Sequence, residues 1–201
     1  MGTKAIIMTH TGKLMDALNP SPDNVCIEDI AHALTNICRF TGHVSRHYSV
    51  AEHCIHASYL GLGDPLICLL HDAAEAYIGD VASPFKAHTY VGAEGNSYSW
   101  LESQHQDCIG IALGVTLPGD PLLSQRIKEE SKLADKIMLV AEASLLLPTE
   151  GSKTWQPYFN AVITYEQEVS QAEYRVGTWV GVSAEEIKHE FLRRFSELHY
   201  V

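Results

Sequence analysis

Apolar residues recur at helical spacing along most of the chain. Ile27, Ile30, Ala31, Leu34, Ile37 and Cys38 repeat every three or four positions and predict a helix over 27–38. Ser49-Val50-Ala51-Glu52 has the form of a capping box, in which Ser and Glu satisfy free amide donors. It predicts a helix over 50–60 with Val50, His53, Cys54 and Ala57 on one face, which turns His53 inward. Asp64-Pro65 is a helix start with Pro at the first helical position, and Leu66, Leu69, Leu70, Ala73 and Tyr77 form the core stripe of a helix to Tyr77. Gly79 ends it, and "GDVASPFK" reads as a loop. Further helices are expected over 97–113, 121–147 and 160–176, with "VTLPGDP" as a break between the first two. The 121–147 segment carries apolar positions on two sides, which predicts a central helix. A second capping box, Ser183 to Glu186, opens a final helix through Ile187, Phe191, Phe195 and Leu198. Residues 10–25 read as a loop or short hairpin, and strand-like alternation is otherwise scarce. The expected class is all-α with at most a small N-terminal hairpin, in one domain spanning 1–201.

Composition refines this picture rather than changing it. The chain is 46% hydrophobic and 19% charged, as a soluble globular protein is. A formal net charge of -11 argues against sequence-independent nucleic-acid binding. Five cysteines with no C-x-x-C pair suggest neither a disulfide framework nor a zinc ribbon; small buried thiols in a reducing cytoplasm are expected. The start, "MGTKAIIMTH", lacks the pattern of a signal peptide, and Gly2 is not read as a myristoylation site. No run reaches the roughly 18 apolar residues of a membrane helix.

Candidate chemistry enters at "LICLLHDAAEAYIGD", where an apolar helix is interrupted by His71, Asp72 and Glu75. The three project to one side, away from the leucine stripe. A helix this apolar does not sit openly on the surface, so the polar stripe lines a cavity or pairs internally; a solvated face is the alternative. His53 faces inward from the preceding helix, and Asp135 lies in the long helix expected at the centre. Two imidazoles and two carboxylates suffice for a divalent metal, and mixed N/O ligation suits Mn, Fe, Co, Ni or Mg better than a closed structural zinc site. A His-Asp pair is common by chance, and a lone inward histidine is more often a hydrogen-bonded core residue. Spacing alone leaves both readings open.

Four blocks narrow the choice. "ICRFTGH", "YSVAEHCIHAS", "LLHDAAEAYIGDVASPFK" and "ESKLADKIML", within residues 27–142, together resemble the HD-domain metal-dependent phosphohydrolase superfamily, in its nucleotidase and deoxynucleotide triphosphohydrolase branch. The C-terminal helices, 160–201, are less diagnostic. The resemblance implies a compact helical bundle and a divalent metal (Co, Mn, Zn, Mg, Fe or Ni) held by His53, His71, Asp72 and Asp135. It implies that Glu75 assists proton transfer and that Asp80 orients water; a solvated Glu75 and a turn Asp80 are the alternatives. Arg39 and Phe40 match an Arg-aromatic pair beside the nucleotide, with core packing as the other reading of Phe40. Lys86 and Lys132 resemble phosphate-contacting lysines of phage dATP triphosphohydrolases, or are surface lysines. His47 and Ser49 are weaker candidates, and Ser49 is already explained as a cap. His32 and His43 lie near the pocket blocks, while His56, His88, His105, His189 and His199 receive packing or surface roles. The implied activity is hydrolysis of dATP or another dNTP to deoxynucleoside and triphosphate. The alternatives are a 5′-nucleotidase on deoxynucleoside monophosphates and a non-catalytic metal-bearing nucleotide sensor. A small-molecule substrate, no nucleic acid or membrane partner, a dimer or hexamer, and a cytoplasmic setting (a host cytoplasm if phage-encoded) complete the expectation.

Overall fold

A computed structural model describes residues 4–117, 123–148 and 152–199. Two short strands, β1 (Ile6–Met8) and β2 (Leu14–Asp16), pair antiparallel with Ile7 opposite Met15, giving the expected small hairpin. The chain is then mostly helical: α1 (Ile27–Asn36), α2 (Val50–Ala57), α3 (Pro65–Leu70), α4 (Glu75–Ile78), α5 (Ser83–Lys86), α6 (Tyr98–Leu113), α7 (Gln125–Leu146), α8 (Ser152–Ala161), α9 (Glu166–Thr178) and α10 (Ala184–His199). A second hairpin, β3 (Tyr90–Val91) with β4 (Asn96–Ser97), precedes α6.

The starts of these helices follow from their caps. Ser49 Oγ accepts the Glu52 amide at 3.1 Å, and Glu52 Oε2 accepts the Ser49 amide at 2.8 Å, closing the capping box of α2. Asp64 Oδ1 accepts the amides of Leu66 and Ile67, with Pro65 at the first helical position of α3. Ser183 and Glu186 form the reciprocal pair that opens α10. Each arrangement satisfies amides that a helix start leaves without partners.

Four departures from the periodicity matter. The expected 65–77 helix is interrupted at His71–Ala74, where amides of Ala73, Glu75, Ala76 and Tyr77 bond to carbonyls three residues back. At three residues per turn, positions i and i+3 eclipse, so Asp72 and Glu75 project to the same side. The "GDVASPFK" loop contains α5. The expected 160–176 helix begins instead at Glu166, and α8 precedes it. Finally, the enclosed helix is α2, whose eight residues are all buried. The central helix expected at 121–147 begins at Gln125 and is enclosed mainly over Ile137–Ala143; residues 121 and 122 lie outside the described residues.

Two apolar clusters flank α2. One holds Ile30, Leu34, Ile55, Leu69, Leu70 and Phe191, joining α1, α2, α3 and α10. The other holds Tyr48, Ala57, Ile137, Met138 and Val176, where α9 lies along α7. The three elements that bear His53, His71-Asp72 and Asp135 therefore meet between two packed layers, which limits the freedom of their backbones. No helix among the described residues is long and apolar enough to cross a membrane.

Candidate metal centre and its cleft

His53 on α2 is fully buried. Its Nδ1 lies 2.6 Å from Glu142 Oε1. Glu142 is also fully buried, and its carboxyl is held below its ordinary range: burial raises it, but the charges of Arg39 and His53 outweigh that cost. An ionised carboxylate only accepts, so His53 carries a proton on Nδ1 and turns Nε2 toward the other donors. Glu142 further accepts from Tyr48 Oη at 3.0 Å and Arg39 Nε at 3.0 Å, which completes its partners.

His71 is set the same way by different groups. Its Nδ1 donates to the Cys68 carbonyl at 2.8 Å, again turning Nε2 toward the other donors. The tightened turn at His71 releases carbonyls from ordinary helical bonding, and Gln106 Nε2 on α6 donates to those of His71 (2.5 Å) and Leu70 (3.4 Å). One side-chain amide thus anchors the pair-bearing turn to α6.

The two Nε2 atoms lie only 3.1 Å apart. His53 Nε2 is 3.2 Å from Asp135 Oδ1 and 3.8 Å from Asp72 Oδ2. His71 Nε2 is 3.3 Å from Asp72 Oδ2 and 3.8 Å from Asp135 Oδ1. Two lone pairs at such a distance repel unless a proton or a metal cation lies between them. Donors about 2.1 Å from one divalent ion stand roughly 3.0–3.5 Å from each other; the separations of 3.1, 3.2 and 3.3 Å match that spacing and the two of 3.8 Å exceed it, so the donor set is compatible with a metal. His53, His71 and Asp135 offer ligand atoms all within 4.8 Å of one another, and so do Cys54, His71 and Asp72. Burial pushes the Cys54 thiol up to about 11, so it is a neutral neighbour rather than a thiolate ligand. Burial lowers both imidazoles. The carboxylates facing them outweigh this, and both imidazoles end up raised, the behaviour of a site arranged for positive charge.

Beside these donors opens a cleft of about 490 Å³, within the range of small-molecule sites. Arg39, Asp72, Glu75, Asp80, Lys86 and Asp135 line its charged part. Glu75 is 4% exposed, so the solvated alternative does not describe it, and its Oε2 is buried with no hydrogen-bond partner. Burial, then the charges of Asp72 and Asp80, push its carboxyl up to about 9. Lys86 Nζ is 3.5 Å from Glu75 Oε1 but 2.6 Å from Glu102 Oε1 on α6, so most of its charge is directed at Glu102. Asp80 follows Gly79, whose φ of +80° suits glycine, and Tyr98 Oη holds the turn through the carbonyls of Ile78 and Gly79. Burial and Asp72 raise the Asp80 carboxyl.

Phe40, Trp155 and Tyr158 line the less charged part of the cleft. Arg39 lines the cleft and is also tied to the centre: its Nε donates to Glu142, and its Nη1 is 3.5 Å from Asp72 Oδ2. Lys132 is exposed on α7, outside the residues that line the cleft. His43 lines it, whereas His32 stacks on His10 at 3.7 Å and does not. His47 is exposed; Ser49 serves as the cap of α2. His56 and His105 are buried, His88 and His189 are exposed, and His199 is half-buried. All five cysteines are free thiols, three of them buried.

Sequence reading missed Glu142, Tyr48, Gln106, Trp155 and Tyr158. Glu142 carried a signal: it is a carboxylate seven residues, or two turns, beyond Asp135 in an otherwise apolar stretch. Gln106, Trp155 and Tyr158 gave none, because each reaches the site through a long-range contact.

Fold and site together define a class: a helical protein that converges two histidines and two aspartates beside a cleft. No family model matches the chain. It is 36% identical over 149 residues to the uncharacterized protein YfdR of Escherichia coli (strain K12), covering 74% of this chain and 76% of that one. It is 35% identical over 143 residues to the uncharacterized protein RCAP_rcc00048 of Rhodobacter capsulatus, covering 66% and 68%. The chain belongs to the family of these proteins. Neither relative's name states an activity.

Proposed function

We propose that this protein is a divalent-metal-dependent phosphohydrolase of deoxynucleotides, in keeping with its resemblance to HD-domain enzymes. The observation that carries the reading is the pair of imidazole Nε2 atoms 3.1 Å apart, flanked by Asp72 and Asp135 and adjoining a buried, half-unpartnered Glu75. His53, His71, Asp72 and Asp135 would hold the ion. A divalent ion in such a site acidifies water and offsets phosphate charge. Glu142 and the Cys68 carbonyl orient the two imidazoles toward the donor cluster. Glu75, pushed up to about 9 by burial, holds or releases a proton at Oε2. Asp80, which lines the cleft, would orient water there. Lys86 supplies positive charge for phosphate and can exchange Glu102 for it.

Release of deoxynucleoside and triphosphate from dATP or another dNTP is the form favoured by the resemblance. The charge of the cleft supports the monophosphate reaction as a second reading. Among the described residues that line it, Arg39 and Lys86 are the arginine and lysine side chains, against Asp72, Glu75, Asp80 and Asp135, and Lys132 is not among them. A purely sensory role has less support, because binding does not require a buried carboxyl kept near neutrality.

Incubation with dATP and with dAMP, each with Mn²⁺, Co²⁺ or Mg²⁺, followed by product chromatography, tests the reading. Turnover is expected in at least one case and is abolished by EDTA. Triphosphate appears only from dATP hydrolysed in the first manner. Metal-loaded protein that turns over neither compound overturns the proposal.

A further inference from the structure

We infer that Trp155 and Tyr158 of α8, together with Phe40, form a stacking wall that receives the planar base of the substrate, so that α8 is a specificity element of the cleft. The inference rests on the proposed function only for the identity of the ring as a nucleobase.

Three observations support it. First, the aromatic side chains form a continuous series: the Phe40 and Trp155 centroids are 6.0 Å apart at 67°, and those of Trp155 and Tyr158 are 5.2 Å apart at 45°. All three line the same cleft as the candidate metal ligands Asp72 and Asp135. Second, the series is not consumed by core packing. Tyr158 is 47% exposed, and neither Phe40 nor Trp155 is buried. Third, Phe40 and Thr41 adopt φ of +53° and +55°. Residues with a Cβ rarely occupy this region, and its cost is tolerated where the surroundings impose it. Here the Arg39 amide is tied to the Tyr48 carbonyl at 2.9 Å while the Arg39 side chain is tied to Glu142. The kink therefore lets consecutive residues serve two purposes: Arg39 braces the imidazole partner and Phe40 faces the cleft.

An apolar ring surface at the side of a cleft otherwise rich in carboxylates repels neither a neutral base nor its sugar. It would receive charged phosphate poorly, which leaves the phosphate to the metal, Arg39 and Lys86. Bases stack on aromatic side chains with little dependence on their hydrogen-bonding edges. Discrimination by this wall should accordingly follow ring area, purine above pyrimidine.

The test separates the wall from the hydrolase reading. Deoxyadenosine, which lacks phosphate, is titrated in EDTA while tryptophan fluorescence is followed. Saturable quenching is expected, and Trp155→Leu should remove it. Trp155→Phe should retain binding by equilibrium dialysis, showing that a ring is sufficient. With metal and whichever nucleotide is hydrolysed, Trp155→Leu should raise KM on the order of 10-fold, the value of one base–aromatic stack, with kcat within about twofold. Unchanged KM in Trp155→Leu, or quenching that persists in it, overturns the wall. Quenching that depends on Trp155 in a protein without hydrolytic activity upholds the wall and removes the hydrolase reading alone.

Discussion

Glu142 illustrates how much the candidate centre depends on a residue that is not itself a candidate ligand. It is fully buried and charged, and it is tolerable there only because Arg39, Tyr48 and His53 together supply its partners. Replacing it with Gln keeps the volume but removes the charge that selects the His53 tautomer. Glu142→Gln should weaken divalent-metal affinity about 10- to 100-fold, read by calorimetric titration, because outer partners of this kind fix ring orientation and ligand basicity. An affinity equal to the parent's would show that His53 is oriented by packing alone. Glu75 is expected to behave in the opposite way. Glu75→Gln should retain metal yet slow hydrolysis by roughly 10²–10⁴-fold, the usual worth of a positioned proton-transfer group. Parental rates in this variant would remove Glu75 from the chemistry.

The short α4 and the turn after it are held from outside. α4 has only four residues, too few to be stable by themselves, and Tyr98 of α6 caps its end by donating to the Ile78 and Gly79 carbonyls. Tyr98→Phe deletes that donor while leaving the ring in place. Urea denaturation should show a loss of about 0.5–1.5 kcal/mol. Turnover should fall with metal affinity unchanged, because the Asp80 turn loosens while the four donors stay. The helix starts were legible in the sequence: the capping boxes at Ser49 and Ser183 and the Asp64-Pro65 start are local chemistry. The break at His71–Ala74 was not, because Leu69, Leu70, Ala73 and Tyr77 satisfy a continuous helical stripe. What stabilises the break is the amide of Gln106, 35 residues away from His71 in sequence.

For the molecule as a whole, the concentration of buried carboxylates links stability to pH. The Glu75 carboxyl rises from 4.5 to about 9 on folding, so the fold favours its neutral form. A raised value contributes stability that is complete below 4.5 and is lost as pH rises through about 9. The melting temperature in EDTA should therefore decline between pH about 5 and about 9, and Glu75→Gln should flatten that decline. An identical slope in the two proteins would mean that Glu75 is charged throughout. Added divalent metal should raise the melting temperature of the parental chain at neutral pH, since an ion that binds only the folded arrangement stabilises it by mass action.

Periodicity and capping established the helical class, the inward aspect of His53 and the polar stripe of His71, Asp72 and Glu75, because those properties depend on residues within a turn or two of each other. Four potential ligands were recognisable from the residue types and from the blocks in which they stand. Their meeting at 3.1–3.8 Å, the tautomers set by Glu142 and the Cys68 carbonyl, and the diversion of Lys86 to Glu102 came only from packing. So did the aromatic side of the cleft, since α8 approaches Phe40 across more than a hundred residues of chain. Local pattern specifies which face of a helix turns inward; distances between side chains on different helices depend on how whole layers pack, and no short stretch of sequence contains that information.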